Sequence, residues 1–118
     1  MNMARVKRCA ICYGLTENEI KKLKLYVSGV QQMSSDMKSM KIQDIIEVDD
    51  GICTPEEHKI VLFNEYPESE VRASVKKIRQ SVPGVILAMV TSVSKDWTFE
   101  YLLEHLLEER KFEQKGGK

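Results

Sequence analysis

The sequence has few of the features that announce a function. No stretch approaches the roughly 18 consecutive apolar residues that a helix needs to cross a bilayer, and no apolar h-region of a secretory signal stands before or after the basic residues between Met1 and Arg8. The protein is therefore expected to be cytoplasmic, with no membrane partner. A surplus of one charge is missing too, since 18 Lys and Arg stand against 18 Asp and Glu. That balance removes the electrostatic drive on which nucleic-acid binding runs. Cysteines number three, which leaves one unpaired under any disulfide scheme. A chain of this length can bury a core without cross-links, so reduced thiols are expected. There is no glycine-rich phosphate loop, and neither of the two histidines, His58 and His105, has a nucleophile or carboxylate at catalytic spacing. No cofactor is expected.

What is present is an ordinary globular mixture, with 42% hydrophobic and 31% charged residues over 118 positions. The length suits one hydrophobic core. Residues 1–113 are read as a single α/β domain, with 114–118 as a disordered tail. Arg8 to Tyr13 is short and apolar and reads as a buried strand, broken by Gly14. Thr16 then stands three residues before Glu19, the spacing of a capping box. Ile20, Leu23, Val27 and Val30 recur at helical spacing, so the first helix is expected to run through Val30. Lys41 to Val48 reads as a second strand through Ile42, Ile45, Ile46 and Val48.

The acidic segment from Asp49 to Glu57 reads as a connector, and Lys59 to Phe63 is the clearest strand of the sequence. Pro67 opens a helix whose apolar stripe is Val71, Val75, Ile78 and Val82. Val85 to Val90 is apolar on both faces, which suits an interior strand. Over 98–112, Thr98 is placed to cap a last helix and Trp97 to pack on Leu102 as a hydrophobic staple.

The two halves, 8–48 and 59–91, look alike. Each has a strand followed by a similar hexad, Leu15-Thr16-Glu17-Asn18-Glu19-Ile20 and Tyr66-Pro67-Glu68-Ser69-Glu70-Val71. The expected fold is an α+β (α/β) sandwich of order βαββαβ, a duplicated βαβ in the ferredoxin-like arrangement, plus a C-terminal helix. A mostly parallel three-layer sheet is the alternative.

From Ala88-Met89-Val90-Thr91 through Ser94-Lys95-Asp96-Trp97-Thr98, a hydrophobic strand runs through a polar loop and a tryptophan into a Leu- and Glu-rich helix. This pattern resembles the DUF3783 family, a domain of unknown function in small bacterial and archaeal proteins, over roughly Lys59 to Lys111. The family pattern has asparagine where Ser94 stands. The resemblance supports the fold reading, implies a prokaryotic source and implies no enzymatic activity.

Three functional classes remain open. The leading one is a non-catalytic binding or regulatory module that associates with itself or with another protein. Its support is the lack of catalytic motifs and the contrast between basic wet faces on two helices (Lys21, Lys22, Lys24; Arg72, Lys76, Lys77, Arg79) and an acidic third (Glu100, Glu104, Glu108, Glu109). The second is a small-ligand or anion sensor using the 91–96 loop. There Thr91, Ser92, Ser94 and Lys95 could donate to an anion at a helix start, with Trp97 and Thr98 bounding the site. The third is a metal-binding protein or enzyme using Cys9, Cys12, Cys53 and His58, or the carboxylates Asp49, Asp50, Glu56 and Glu57. Against it, Cys9 and Cys12 three apart on a strand would point to opposite faces, about 10 Å apart at ~3.3 Å per residue.

Overall fold

The computed structural model describes residues 7–116; 1–6 and 117–118 lie outside the described residues. In chain order the elements are β1 (Cys9–Tyr13), α1 (Glu17–Leu23), β2 (Val30–Gln32), α2 (Ile42–Val48), β3 (Ile60–Asn64), α3 (Glu68–Ser81), β4 (Ile86–Met89) and α4 (Phe99–Gly116). A 3₁₀ turn precedes α2 at Ser35–Met37, and another precedes α4 at Ser94–Asp96. The fold is thus an α/β sandwich with a C-terminal helix.

Alternation along the strands explains the layers. Cys9, Ile11 and Tyr13 of β1, with Ile60 and Leu62 of β3, join the core under α2 and α4. Ala10 and Cys12, with Val61 and Phe63, join the opposite core, under α1 and α3. The sheet is covered on both sides, so its central strands are apolar without a break.

Two elements differ from the sequence expectation. Residues 42–48 form a helix, because Ile42, Ile45 and Ile46 stand at the i, i+3, i+4 spacing of one helical face; all three are buried, while Val48 is 50% exposed. β-branched content suggested a strand, but the periodicity decides. The second strand is instead Val30–Gln32: α1 ends at Leu23, and Gly29 at φ 75° turns the chain back into the sheet. At the far end, α4 runs on to Gly116 through residues expected to fray.

The strand order is β2-β1-β3-β4. β1 is parallel to β2 and β3 is parallel to β4, while β1 and β3 pair antiparallel in the centre. This differs from the ferredoxin-like order, in which a strand of the other unit separates the two strands of each βαβ. Here each unit keeps its own strands adjacent. The added helix α2 covers the second face and gives the three layers of the alternative reading, with a mixed sheet. β4 consequently lies at an edge, half-buried, instead of in the interior.

The two halves are related by a pseudo-twofold symmetry in the pairing. The two hexads open α1 and α3, which makes Ile11 the counterpart of Leu62, and those two residues face each other across β1 and β3. Lys41 and Thr98, the residues before α2 and α4, form a second antiparallel bridge. Around it Ile42 N–H donates to Trp97 O at 2.9 Å and Phe99 N–H donates to Met40 O at 3.0 Å. A pseudo-twofold axis therefore passes through both pairs. Side chains repeat across it: Lys59 Nζ lies 2.6 Å from Glu19 Oε2, and its counterpart Arg8 reaches Glu70 at 3.1 Å.

The halves diverge beyond their last helices. After α2 the chain crosses the carboxyl ends of β2 and β1 before entering β3. Ile52 N–H donates to Ser34 Oγ at 3.0 Å, Cys53 N–H to Gln32 Oε1 at 2.9 Å and Glu56 N–H to Gly14 O at 3.1 Å. The crossing needs two glycines. A Cβ on Gly51 would stand 2.6 Å from Met33 Cα, and one on Gly14, at φ 80°, would stand 2.2 Å from His58 O. We expect Gly14→Ala to combine left-handed strain with this backbone clash and to destabilise the protein by at least about 2 kcal/mol, lowering Tm by about 8 °C or more in thermal denaturation followed by circular dichroism.

Candidate functional site

The loop residues singled out in the sequence, Thr91 to Thr98, follow the carboxyl end of β4 and lead into α4. Thr91 and Ser94 bond mainly to each other. Thr91 N–H donates to Ser94 Oγ at 2.9 Å, and Ser94 N–H donates to Thr91 Oγ1 at 3.0 Å. Ser94 is buried, and Thr91 and Ser92 are exposed. Thr98 Oγ1 caps α4 by accepting from Tyr101 N–H at 3.1 Å. Lys95 Nζ lies 3.5 Å from the Glu65 carboxylate. The Thr91, Ser94 and Thr98 hydroxyls and the ammonium thus have partners within the protein.

Trp97 belongs to the fringe of the core under α4, and its indole meets Tyr101 edge-on at 4.8 Å between centroids and His105 at 5.3 Å. The Trp97 ring contacts continue one and two turns into the helix on its outer side, a ladder that the expected staple onto Leu102 did not include. His105 Nε2 also lies 3.7 Å from Glu109, an exposed pair of small energetic weight.

Glu65 and Tyr66 complete the site and were missed in the sequence. Glu65 is the counterpart of Gly14 and adopts the same left-handed conformation, at φ 64°. The hexads pointed to it, since each is preceded directly by this turn residue. Exposure separates the two crevices. Gly14 and Met33 are buried, and Ser34 and Ser35 are half-buried. Their counterparts Glu65, Thr91 and Ser92 are exposed, and Val90 is half-buried. The first crevice is filled by the connector, including Cys53, whose Sγ accepts from Leu15 N–H at 3.2 Å. No described residue plays the part of Cys53 for Tyr66 N–H, the counterpart donor.

The cysteines are split by the sheet. Cys9 lies in the core under α2 and α4, whereas Cys12 and Cys53 lie in the core under α1 and α3. Cys9 and Cys12 therefore cannot grip one ion, and among the described residues no three His, Cys, Asp or Glu side chains are grouped to hold a metal. Of the acidic connector, Asp49 pairs with Lys7 at 3.2 Å and the Glu56 carboxylate accepts from Ser35 Oγ. Burial pushes the Cys9 thiol up to about 11 and raises Cys12 and Cys53 as well, the latter despite the N–H groups directed at its sulfur. Neutral thiols are poor nucleophiles and poor ligands.

Geometry thus defines an α/β/α sandwich with a pseudo-twofold axis, in which the connector closes one strand-end crevice and, among the described residues, no equivalent segment crosses the other. Residues 59–112 match the family model described as Domain of unknown function (DUF3783), in agreement with the resemblance of the C-terminal half. The matched stretch holds β3, α3, β4 and most of α4, the second of the two halves related by the pseudo-twofold axis. No curated protein and no solved structure matches the chain.

Because the fold favours the neutral Cys9 thiol, that contribution to stability is complete below the ordinary thiol pKa near 8.5 and is lost as pH climbs toward about 11. Stability should therefore fall in alkaline solution. At mildly alkaline pH, a disulfide reagent that absorbs on reaction should label the native protein far more slowly than the protein in guanidinium, where all three free cysteines react.

Proposed function

We propose that the protein is a non-catalytic, cytoplasmic binding module that associates with a second copy of itself along β4. The observation that carries this reading is the character of that edge. Natural edge strands are commonly shortened, charged, broken by proline or covered. β4 has no charged residue and no proline, and Met89 is 38% exposed. At the opposite edge, β2 is shorter, and its glutamines are engaged: Gln31 Nε2 donates to Ile45 O, and Gln32 Oε1 accepts from the connector.

The backbone supports pairing at β4. Ile86 N–H donates to Lys59 O and Val90 N–H to Phe63 O, both toward β3. The period of two then directs the Leu87 and Met89 amides outward, where a second strand can receive them. Arg79 of α3 and Glu109 of α4 bracket this side of the strand in a cleft of about 480 Å³ that also includes Leu106. No helix among the described residues is long and apolar enough to cross a membrane. With its thiols buried, neutral and on opposite faces, the fold gives the metal and enzyme readings little to use.

Size-exclusion chromatography with light scattering tests the reading. We expect a dimer that Met89→Lys, which charges the edge, and Met89→Pro, which removes an outward donor, both convert to monomer with unchanged far-ultraviolet circular dichroism. A wild-type chain that stays monomeric at the highest concentrations reached would reject it.

A further inference from the structure

We propose that two copies pair antiparallel about Ala88, so that the segment from Met89 to Lys95 of each seats in the cleft beside β4 of the other. This rests on self-association along β4 and adds its register and the occupant of the cleft. A strand that pairs with its own copy in a closed dimer does so across a twofold axis. An axis along the strands would set each outward amide against its own copy, so the pairing must be antiparallel. Three registers bring outward residues of β4 opposite one another, with the axis at Leu87, Ala88 or Met89.

The amides at the two ends of the strand choose among them. Val85 N–H donates to Val82 O at 3.1 Å, and Thr91 N–H to Ser94 Oγ at 2.9 Å. An axis at Leu87 sets Met89 against the partner's Val85, and one at Met89 sets Leu87 against the partner's Thr91; each such pair is one bond short. Only about Ala88 does every facing pair, Leu87 with the partner's Met89 and its mirror image, exchange both bonds. The residue on the axis is then the smallest of the strand.

This register itself brings the second copy into the cleft. The partner's Val90, the partner's Thr91 and the partner's Ser92 fall opposite Ile86, Val85 and Gly84, which line the cavity of about 480 Å³. The cavity stands at the amino end of β4, whereas the described chain begins at Lys7, beside Asn64 at the other end of the sheet. Beyond Ser92 the chain turns to the face of α4, where Trp97 joins the core, and this carries the partner's Val93, 62% exposed, toward Leu106.

Charge agrees with the seating. A twofold axis normal to the sheet keeps each face of one copy beside the same face of the other. Arg79 of α3 and Glu109 of α4 form opposite walls of the cleft. At the carboxyl ends of the strands Glu65 leads into α3 and Lys95 into α4, their charges 3.5 Å apart. The partner's Glu65 therefore comes to the side of Arg79, and the partner's Lys95 to the side of Glu109. Each wall meets the opposite sign, twice per dimer.

Ala88→Cys in the full chain, oxidised mildly with glutathione disulfide, is the first test. Facing residues of this non-hydrogen-bonded kind have Cα atoms about 4.5 Å apart, within the roughly 4.4–6.8 Å span of a disulfide, and the native thiols are buried. We expect a covalent dimer on non-reducing gels from Ala88→Cys and none from Ile86→Cys, whose copies would stand roughly 13 Å apart. The second test is a charge exchange read by sedimentation equilibrium at low salt. Lys95→Glu and Glu109→Lys should each weaken association about fivefold, and both together in one chain should restore it. A monomeric wild-type chain would overturn this proposal together with the reading beneath it. A dimer that cross-links through Leu87→Cys or Met89→Cys instead of Ala88→Cys would overturn the register and leave pairing along β4 standing. A double variant that fails to recover what the single ones lose would overturn the seating of the loop in the cleft.

Discussion

The antiparallel contact of β1 with β3 is the constraint on which the rest of the architecture depends. Ile11 and Leu62 are both fully buried at its centre, each contributing to the core under α2 and α4. Either parallel pair alone would expose a strand whose two faces are both apolar. Joined back to back, the pairs give one sheet wide enough for two helices on each side. The second axis contact, at Lys41 and Thr98, ties the entrances of α2 and α4 together by main-chain hydrogen bonds. It fixes how those helices leave the sheet, and with them the 3₁₀ turns that shape the ends of β2 and β4.

Much of this was legible in residues. Thr16 and Glu19 form the capping box their spacing indicates, with Thr16 N–H donating to Glu19 Oε1 at 2.9 Å and Glu19 N–H to Thr16 Oγ1 at 3.1 Å. Burial alone would raise the Glu19 carboxyl, but hydrogen bonds from Lys59 and Thr16 hold it below the usual range. The paired hexads identified equivalent helix starts, and the C-terminal family resemblance fell on one unit. What misled was chemistry shared between structures. Ile42, Ile45, Ile46 and Val48 are β-branched, a preference that packing overrides when the spacing fits a helical face. Val30 continued the period of α1 by coincidence, and Gly29 was the sign that the chain had already turned.

The candidate site was half legible. The polar loop from Thr91 to Asp96 lies where a strand gives way to a helix, as expected, yet its hydroxyls mostly serve the turn itself. Glu65 and Tyr66 were hidden because they sit in a separate loop, close in space only through the parallel pairing of β3 with β4. No local motif reports that distance. The counterpart relation does, once Gly14 and Glu65 are seen to share a left-handed conformation.

The axis has a consequence for ancestry and assembly. Ile11 faces Leu62 and Lys41 faces Thr98, so a polypeptide of one unit would present a surface complementary to its own twin. Fusion through a tether turns that encounter into an intramolecular one, governed by effective molarity instead of abundance. Twin subunits must stay identical, whereas fused ones are free to drift apart. In this chain the two equivalent positions differ: Gly14 lies beneath the connector, and Glu65 carries a carboxylate 3.5 Å from Lys95 Nζ.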